Sequence, residues 1–227
     1  MSPAQIYSSP WHHPGLLLPI ALAALAIVLQ QRSRHPDHWP PFLRVWLLGC
    51  ALEIVLDASL TGFATPLHGH PDAERVASIV FVILGDLRAY LLLDRLASPS
   101  RPWSSTWARA LGWSLVASLA VAAATRLAPT TFATTRNVFL FYEVVSLALF
   151  GLWRFGLLAR RRPTPALALA RAVATFCLAQ YALWASADVL ILSGIDLAYL
   201  LRIVPNLLYY GFFVAFVLWR APRDLRP

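Results

Sequence analysis

Seven mainly apolar stretches, separated by short segments carrying proline, arginine and tryptophan, set the pattern of this chain. A helix needs roughly 20 such residues to cross the hydrocarbon of a bilayer, and each stretch meets or approaches that length. They fall at 15–31, 42–64, 75–96, 107–127, 137–159, 168–192 and 196–219. The pattern predicts an all-α polytopic membrane protein with seven transmembrane helices, forming one membrane domain over 1–227. No basic leader with a cleavage site precedes the first run, Gly15 to Gln30, so that run is expected to be retained as a signal anchor.

The polar segments between these stretches are not alike. Arg32 and Arg34 follow the first; Arg95, Arg101 and Arg109 surround the third link; Arg160, Arg161, Arg162 and Arg171 surround the fifth; Arg220, Arg223 and Arg226 lie in the tail at 220–227. The alternate segments hold only Arg75, Arg126 and Arg136. Arginine and lysine concentrate in cytoplasmic loops, so the N-terminus is expected outside and the C-terminus in the cytoplasm, as in a bacterial inner membrane. Trp11, Trp39, Trp103, Trp107 and Trp219 sit near segment ends, as an interfacial belt requires.

Internal matches suggest a duplication. Ala51-Leu52 and Asp57 recur as Ala182-Leu183 and Asp188; Ile83-Leu84-Gly85-Asp86-Leu87 and Tyr90 recur as Ile203-Val204-Pro205-Asn206-Leu207 and Tyr210. Apolar identities arise cheaply, so the polar coincidences carry the weight. They outline a three-helix unit over 15–96, a linker helix at 107–127 and a second three-helix unit over 137–219.

Composition narrows the chemistry. Hydrophobic residues make up 59% of the chain and charged residues 13%, far from the balance of soluble domains. The net charge of +8 comes from 19 basic residues that are all arginine. A retinal Schiff base, which needs a lysine amine, is excluded, and other cofactors are left unknown. Because the arginines fall at segment ends, the basicity follows membrane topology and no nucleic acid is implied as a partner. Cys50 and Cys177 both lie within apolar segments and read as small buried hydrophobes.

Ionisable groups inside a bilayer are costly and usually have a task. Glu53, Asp86 and Asn206 fall near the middle of their segments; Asp57, Glu143, Asp188 and Arg202 lie about 6–9 Å towards the outer side, and Arg88 about 3 Å inward. Five carboxylates against two arginines cannot all ionise in an apolar slab, so protons, a metal or a cationic solute should complete the balance. A structural alternative is that Asp86, Arg88 and Arg202 join ion pairs with Asp57 or Asp188 that lock helices together. Tyr90 and Tyr210 are expected to line the same centre, with Gly85 and Pro205 as hinges. Asp94 and Arg154, closer to the boundary, are expected to reach the surface. The six histidines fall outside the segments as His12-His13, His35 with His38, and His68 with His70; on the expected outer face His68 and His70, beside Asp72 and Glu74, are candidate metal ligands.

Seven segments with the N-terminus outside, and a repeated three-helix unit around a linker, resemble the SWEET and PQ-loop carrier superfamily. The Pro-Gln dipeptides of PQ-loop proteins are absent, and Pro205-Asn206 is a similar pair in a different helix. The resemblance implies a small-solute carrier with its site between the two three-helix bundles, coupled to protons. The expected function is therefore a permease for a small polar or cationic solute, in which Asp57 and Asp188 act as acidic gates. An intramembrane enzyme acting on a lipid or isoprenoid, with Glu53 and Asp57 as acid and base, is the alternative. A sensory or assembly subunit is a third, and oligomerisation is open.

Overall fold

The computed structural model describes residues 1–34 and 39–221, so His35, His38 and nearly all of the expected tail lie outside the described residues. Every described element is helical. In chain order they are α1 (Pro3–Tyr7), α2 (Leu17–Arg34), α3 (Pro41–Leu60), α4 (Pro71–Ala97), α5 (Trp103–Leu127), α6 (Thr135–Gly151), α7 (Pro165–Leu192), α8 (Ala198–Leu207) and α9 (Phe213–Arg220). Helix α6 widens into a π-helical turn over Leu152–Leu157, and a second such turn, Leu208–Phe212, joins α8 to α9 in one rod.

Local chemistry sets the ends of these rods. Pro41, Pro71 and Pro165 occupy first-turn positions of α3, α4 and α7, where a missing N–H breaks no helical bond. The Thr134 and Thr164 hydroxyls accept from the backbone N–H of Asn137 at 3.3 Å and Leu167 at 3.2 Å, capping α6 and α7. The second apolar stretch, expected to continue to 64, stops as a helix at Leu60. Thr61 is extended and Gly62 has φ +88°. A Cβ at Gly62 would also come within 2.5 Å of the His13 ring, so only glycine lets the turn pass there.

Five rods are long and apolar enough to cross a membrane: Pro71–Ala97, Trp103–Leu127, Thr135–Leu157, Pro165–Leu192 and Ala198–Arg220. Large apolar side chains such as Val76, Leu119 and Phe155 point outwards from them, which suits a lipid bilayer and not water. The other two long helices fall short for visible reasons. Helix α2 has 18 residues and ends in Gln30-Gln31-Arg32-Ser33-Arg34, and α3 carries Arg44, Glu53 and Asp57.

Helices neighbouring in sequence pack side by side, and α4 lies against α7 across the middle of the bundle. There the Tyr90 ring stacks on Phe150 with centroids 4.7 Å apart and planes 3° from parallel, backed by Trp113 and Trp153. Tyr90 is fully buried in this aromatic plug, its hydroxyl has no partner among the described residues, and, contrary to expectation, it is not among the residues lining the polar cavity. At Gly85, expected as a hinge, α4 runs unbroken, and an added Cβ would come 2.5 Å from the Tyr209 hydroxyl. Its smallness admits a tyrosine. Helix α8 likewise continues past Pro205, and the irregularity appears as the π turn from Leu208 onwards.

One end of the bundle is rich in arginine. Asp94, expected at the surface, is 1% exposed. It accepts from Arg101 at 2.6 and 2.7 Å and from Arg109 at 3.0 Å, tying the end of α4 to the start of α5. Its carboxylate is too short to reach water from that depth, and the arginines come to it. Arg161 meanwhile donates to the Ala97 carbonyl. At the opposite end, the Phe63 N–H donates to the His13 carbonyl at 3.1 Å, joining the segment before α2 to the α3–α4 connection. Asp94→Asn should lower stability by about 1–3 kcal/mol in detergent unfolding, less than a fully buried pair because Arg101 and Arg109 are partly exposed and can rehydrate.

Candidate functional site

The polar groups gather at the end of the bundle away from Asp94 and its arginines, around a cavity of about 330 Å³. Leu17 of α2, Asp57 and Thr61 of α3 with its following turn, Ser78 and Phe81 of α4, Phe139 and Glu143 of α6, Tyr181 and Trp184 of α7, and Arg202 and Asn206 of α8 all face it. Helix α5 contributes none of the lining residues. Tyr7, His12 and His13, from α1 and the segment that follows, complete the wall.

Charge is held in separate groups. Glu53 and Arg88 form an ion pair between α3 and α4. The Arg88 guanidinium also donates to the Tyr209 carbonyl at 3.3 Å and lies 4.1 Å from the Tyr209 ring centroid. The Tyr209 hydroxyl donates to Glu53 at 3.2 Å. Glu53 and Arg88 thus satisfy each other outside the cavity lining. On the other side Arg202 bridges Glu143 at 3.0 Å and Asp188, while Arg136 reaches Asp188 at 3.2 Å. Asp188 is therefore one member of a two-carboxylate, two-guanidinium cluster that includes an arginine the sequence pattern assigned to a loop. The structural alternative raised for Arg202 and Asp188 is the arrangement found.

Two acids have no such partner. Asp57 accepts from the Thr61 hydroxyl at 2.8 Å and the Tyr210 hydroxyl at 2.9 Å. Asp86 accepts from Tyr142 at 2.5 Å and from Tyr181. Neither forms an ion pair among the described residues. The expected gates Asp57 and Asp188 consequently sit in different electrostatic settings, the first held only by neutral donors and the second by two cations. Asp86 lies behind the cavity wall, since its tyrosine partners line the cavity and it does not. Tyr210 and Asn206, both expected at the site, do line it.

A neutral network closes the cavity mouth. The Trp184 indole donates to Asn206 Oδ1 at 2.8 Å, and the Asn206 amide lies 3.2 Å from His12 Nε2. His12 Nδ1 is 2.9 Å from the Tyr7 carbonyl. A carbonyl can only accept, so Nδ1 carries the hydrogen and Nε2 accepts from Asn206. The Tyr7 hydroxyl receives the Arg202 Nε–H at 3.0 Å. Residues 3–16 therefore strap the mouth to α8. Burial holds the His12 imidazole below its ordinary value, assisted by the Arg202 charge, and pushes His13 down to about 4.

The metal expectation changes accordingly. His12 and His13 are built into the cavity wall, while His68 pairs with Glu74 at 3.1 Å in an exposed position. Among the described residues no group of three or more His, Cys, Asp or Glu is placed to hold a metal ion. Cys50 and Cys177 are free and buried. Tyr7, Arg136, Tyr142, Tyr181 and Trp184 are site residues that sequence reasoning missed. Compared with known protein families, curated proteins and solved structures, the chain matches none of them.

Two outcomes follow from these settings. Asp188→Asn should destabilise the protein by about 3–5 kcal/mol, because Arg202 and Arg136 lose a shared buried counterion; Asp57→Asn, with no cation left behind, should leave the unfolding free energy within about 1 kcal/mol of the parent's. The strap should loosen in acid. An unfolded histidine takes a proton near 6.5 and folded His13 only near 4, so stability is constant above about 6.5 and falls as pH drops towards 4. Asp57, Glu143, Arg202 and Tyr210 face the same space, and the His13→Gln variant separates the imidazole's part from theirs. Hydrogen exchange over residues 8–16 should therefore accelerate across that window, and His13→Gln should flatten the response.

Proposed function

We propose that the chain is a seven-span carrier for a small polar or cationic solute, working by rocking of two three-helix units around the cavity. The observation that carries this reading is the lining: α2, α3 and α4 supply one wall, α6, α7 and α8 the other, and α5 none. A cavity lined by three helices on either side of α5 and by none of α5 itself suits alternating access between two such units. The units are 15–96 and 137–219, with 107–127 as linker; α2 counts as a span because its charges lie in its last turn, and α3 because Glu53 and Asp57 face protein partners and not lipid.

Arginine placement supports a cytoplasmic C-terminus in a bacterial inner membrane, so that the cavity opens outward. The Tyr90–Phe150–Trp153 plug separates it from the opposite end. Asp57 and Asp86, which lack cationic partners, are the groups best suited to carry a proton during the cycle. The enzymatic alternative has less support, since Glu53, its acid or base, is consumed by Arg88 and does not line the cavity.

Uptake into proteoliposomes of a panel of labelled small amines, polyols and amino acids tests the reading. At least one should accumulate, Asp57→Asn should abolish that uptake while remaining folded, and Tyr90→Phe should preserve it. A parent protein that moves none of them, or an Asp57→Asn variant with unchanged uptake, overturns the assignment.

A further inference from the structure

The cavity's charge balance and its wall chemistry together select a ligand class. Of the charged side chains facing it, Glu143 and Arg202 belong to the cluster with Asp188 and Arg136, in which two carboxyl groups meet two guanidinium groups. His12 and His13 are neutral at physiological pH, and Arg202 already serves two carboxylates and the Tyr7 hydroxyl. Among the described residues lining the cavity, no cation is left to receive an anion. What remains uncompensated is Asp57, whose two oxygens accept only two hydroxyl hydrogens although a carboxylate offers about four acceptor positions.

A second acceptor stands on the facing helix. Glu143 is 3% exposed and lines the cavity, and its Oε2 has no hydrogen-bond partner. A buried carboxylate oxygen without a donor is unfavourable unless a ligand supplies one. Around these two acceptors the wall is aromatic: Phe81, Phe139, Trp184 and Tyr209. Ring faces attract a soft, weakly hydrated cation, whereas a small metal ion would need an oxygen or nitrogen shell that the described residues do not assemble.

We propose that the cavity binds a monovalent organic ammonium with an apolar or aromatic body, its nitrogen held by Asp57, with Glu143 Oε2 as second acceptor and the rings as the body's walls. This rests on the cavity being the substrate site of a carrier, and it narrows the solute to an amine of about one ring in size, since 330 Å³ is at the small end for ligand pockets. The ammonium neutralises Asp57 and spans α3 of one unit and α6 of the other, so its occupancy couples the two.

Binding is measured on the full-length purified protein in nanodiscs at pH 7.5, by calorimetry and thermal unfolding, with tetramethylammonium, 2-phenylethylamine, 2-phenylethanol and 3-phenylpropanoate as probes. The amine should bind saturably and raise the unfolding midpoint; the alcohol and the acid of similar shape should do neither. Asp57→Asn should weaken the amine by about thirtyfold or more, and Tyr90→Phe, outside the cavity, should bind as the parent does. Equal response to the alcohol, preference for the acid, silence towards both cations, or undiminished binding by a folded Asp57→Asn variant overturns the proposal. The comparison of probes on the parent protein decides the matter even where the variant does not fold. Because no transport is involved, an amine that binds but never enters proteoliposomes upholds the ligand class and refutes the carrier, and uptake of only neutral or anionic solutes does the reverse.

Discussion

A guanidinium buried among apolar helices has to bring its counterions with it, and Arg202 shows how much architecture that demand creates. Its side chain is held by Glu143 from α6, Asp188 from α7 and the Tyr7 hydroxyl from α1. Four chain segments far apart in sequence converge on one cation. Arg136 adds a second positive charge to Asp188 and lies over the Tyr7 and Tyr199 rings. That cluster helps to fix the relative depth of α6, α7 and α8, where apolar packing between helices in lipid lacks the hydrophobic drive it has in water. The positions of Asn206, Trp184 and the N-terminal strap follow from it.

Arg88 does the same on the other side of the bundle with different means. Its charge is met by Glu53, and its flat face by Tyr209. Between these two satisfied centres lies the cavity with Asp57, which neither of them reaches. Leaving Asp57 outside both clusters is a specific choice of sequence: it is four residues from Glu53, one helical turn, yet Arg88 pairs with Glu53.

Much of the architecture was legible because hydrocarbon imposes a length and a polarity on every spanning segment. Each of the seven long rods lies within a few residues of its expected stretch, with proline at first-turn positions explaining why α3, α4 and α7 start early. The strict test of length and apolarity is met by five. Depth along each helix could also be counted, so Asp57, Glu143, Asp188 and Arg202 were placed in one outer layer, with Asn206 nearer the middle. What could not be counted was direction around the axis. Tyr90 and Asp86 are four residues apart in one helix, but Tyr90 stacks in the aromatic plug while Asp86 turns to Tyr142 and Tyr181. Tyr7, His12 and Arg136 lie outside or at the edge of apolar stretches and give no periodic signal; only the tertiary fold carries them back to the mouth of the cavity. Asp94 was misplaced because snorkelling was considered for the acid and not for the arginines that come to it.

The widened turn over Leu208–Phe212 has a consequence for the phasing of the last rod. A π turn accommodates an extra residue without breaking the rod, so the side of α9 that faces its neighbours is rotated relative to the side of α8 that does. Arg202, Pro205 and Asn206 are buried before the turn, and Phe213, Val214 and Val217 after it. The insertion also sets Tyr209 against Glu53 and Tyr210 against Asp57, giving two adjacent phenols to two different acids. The C-terminal rod thereby reads two azimuths with a single chain: one half is keyed to the polar chamber and the other to the apolar body, and neither register dictates the other.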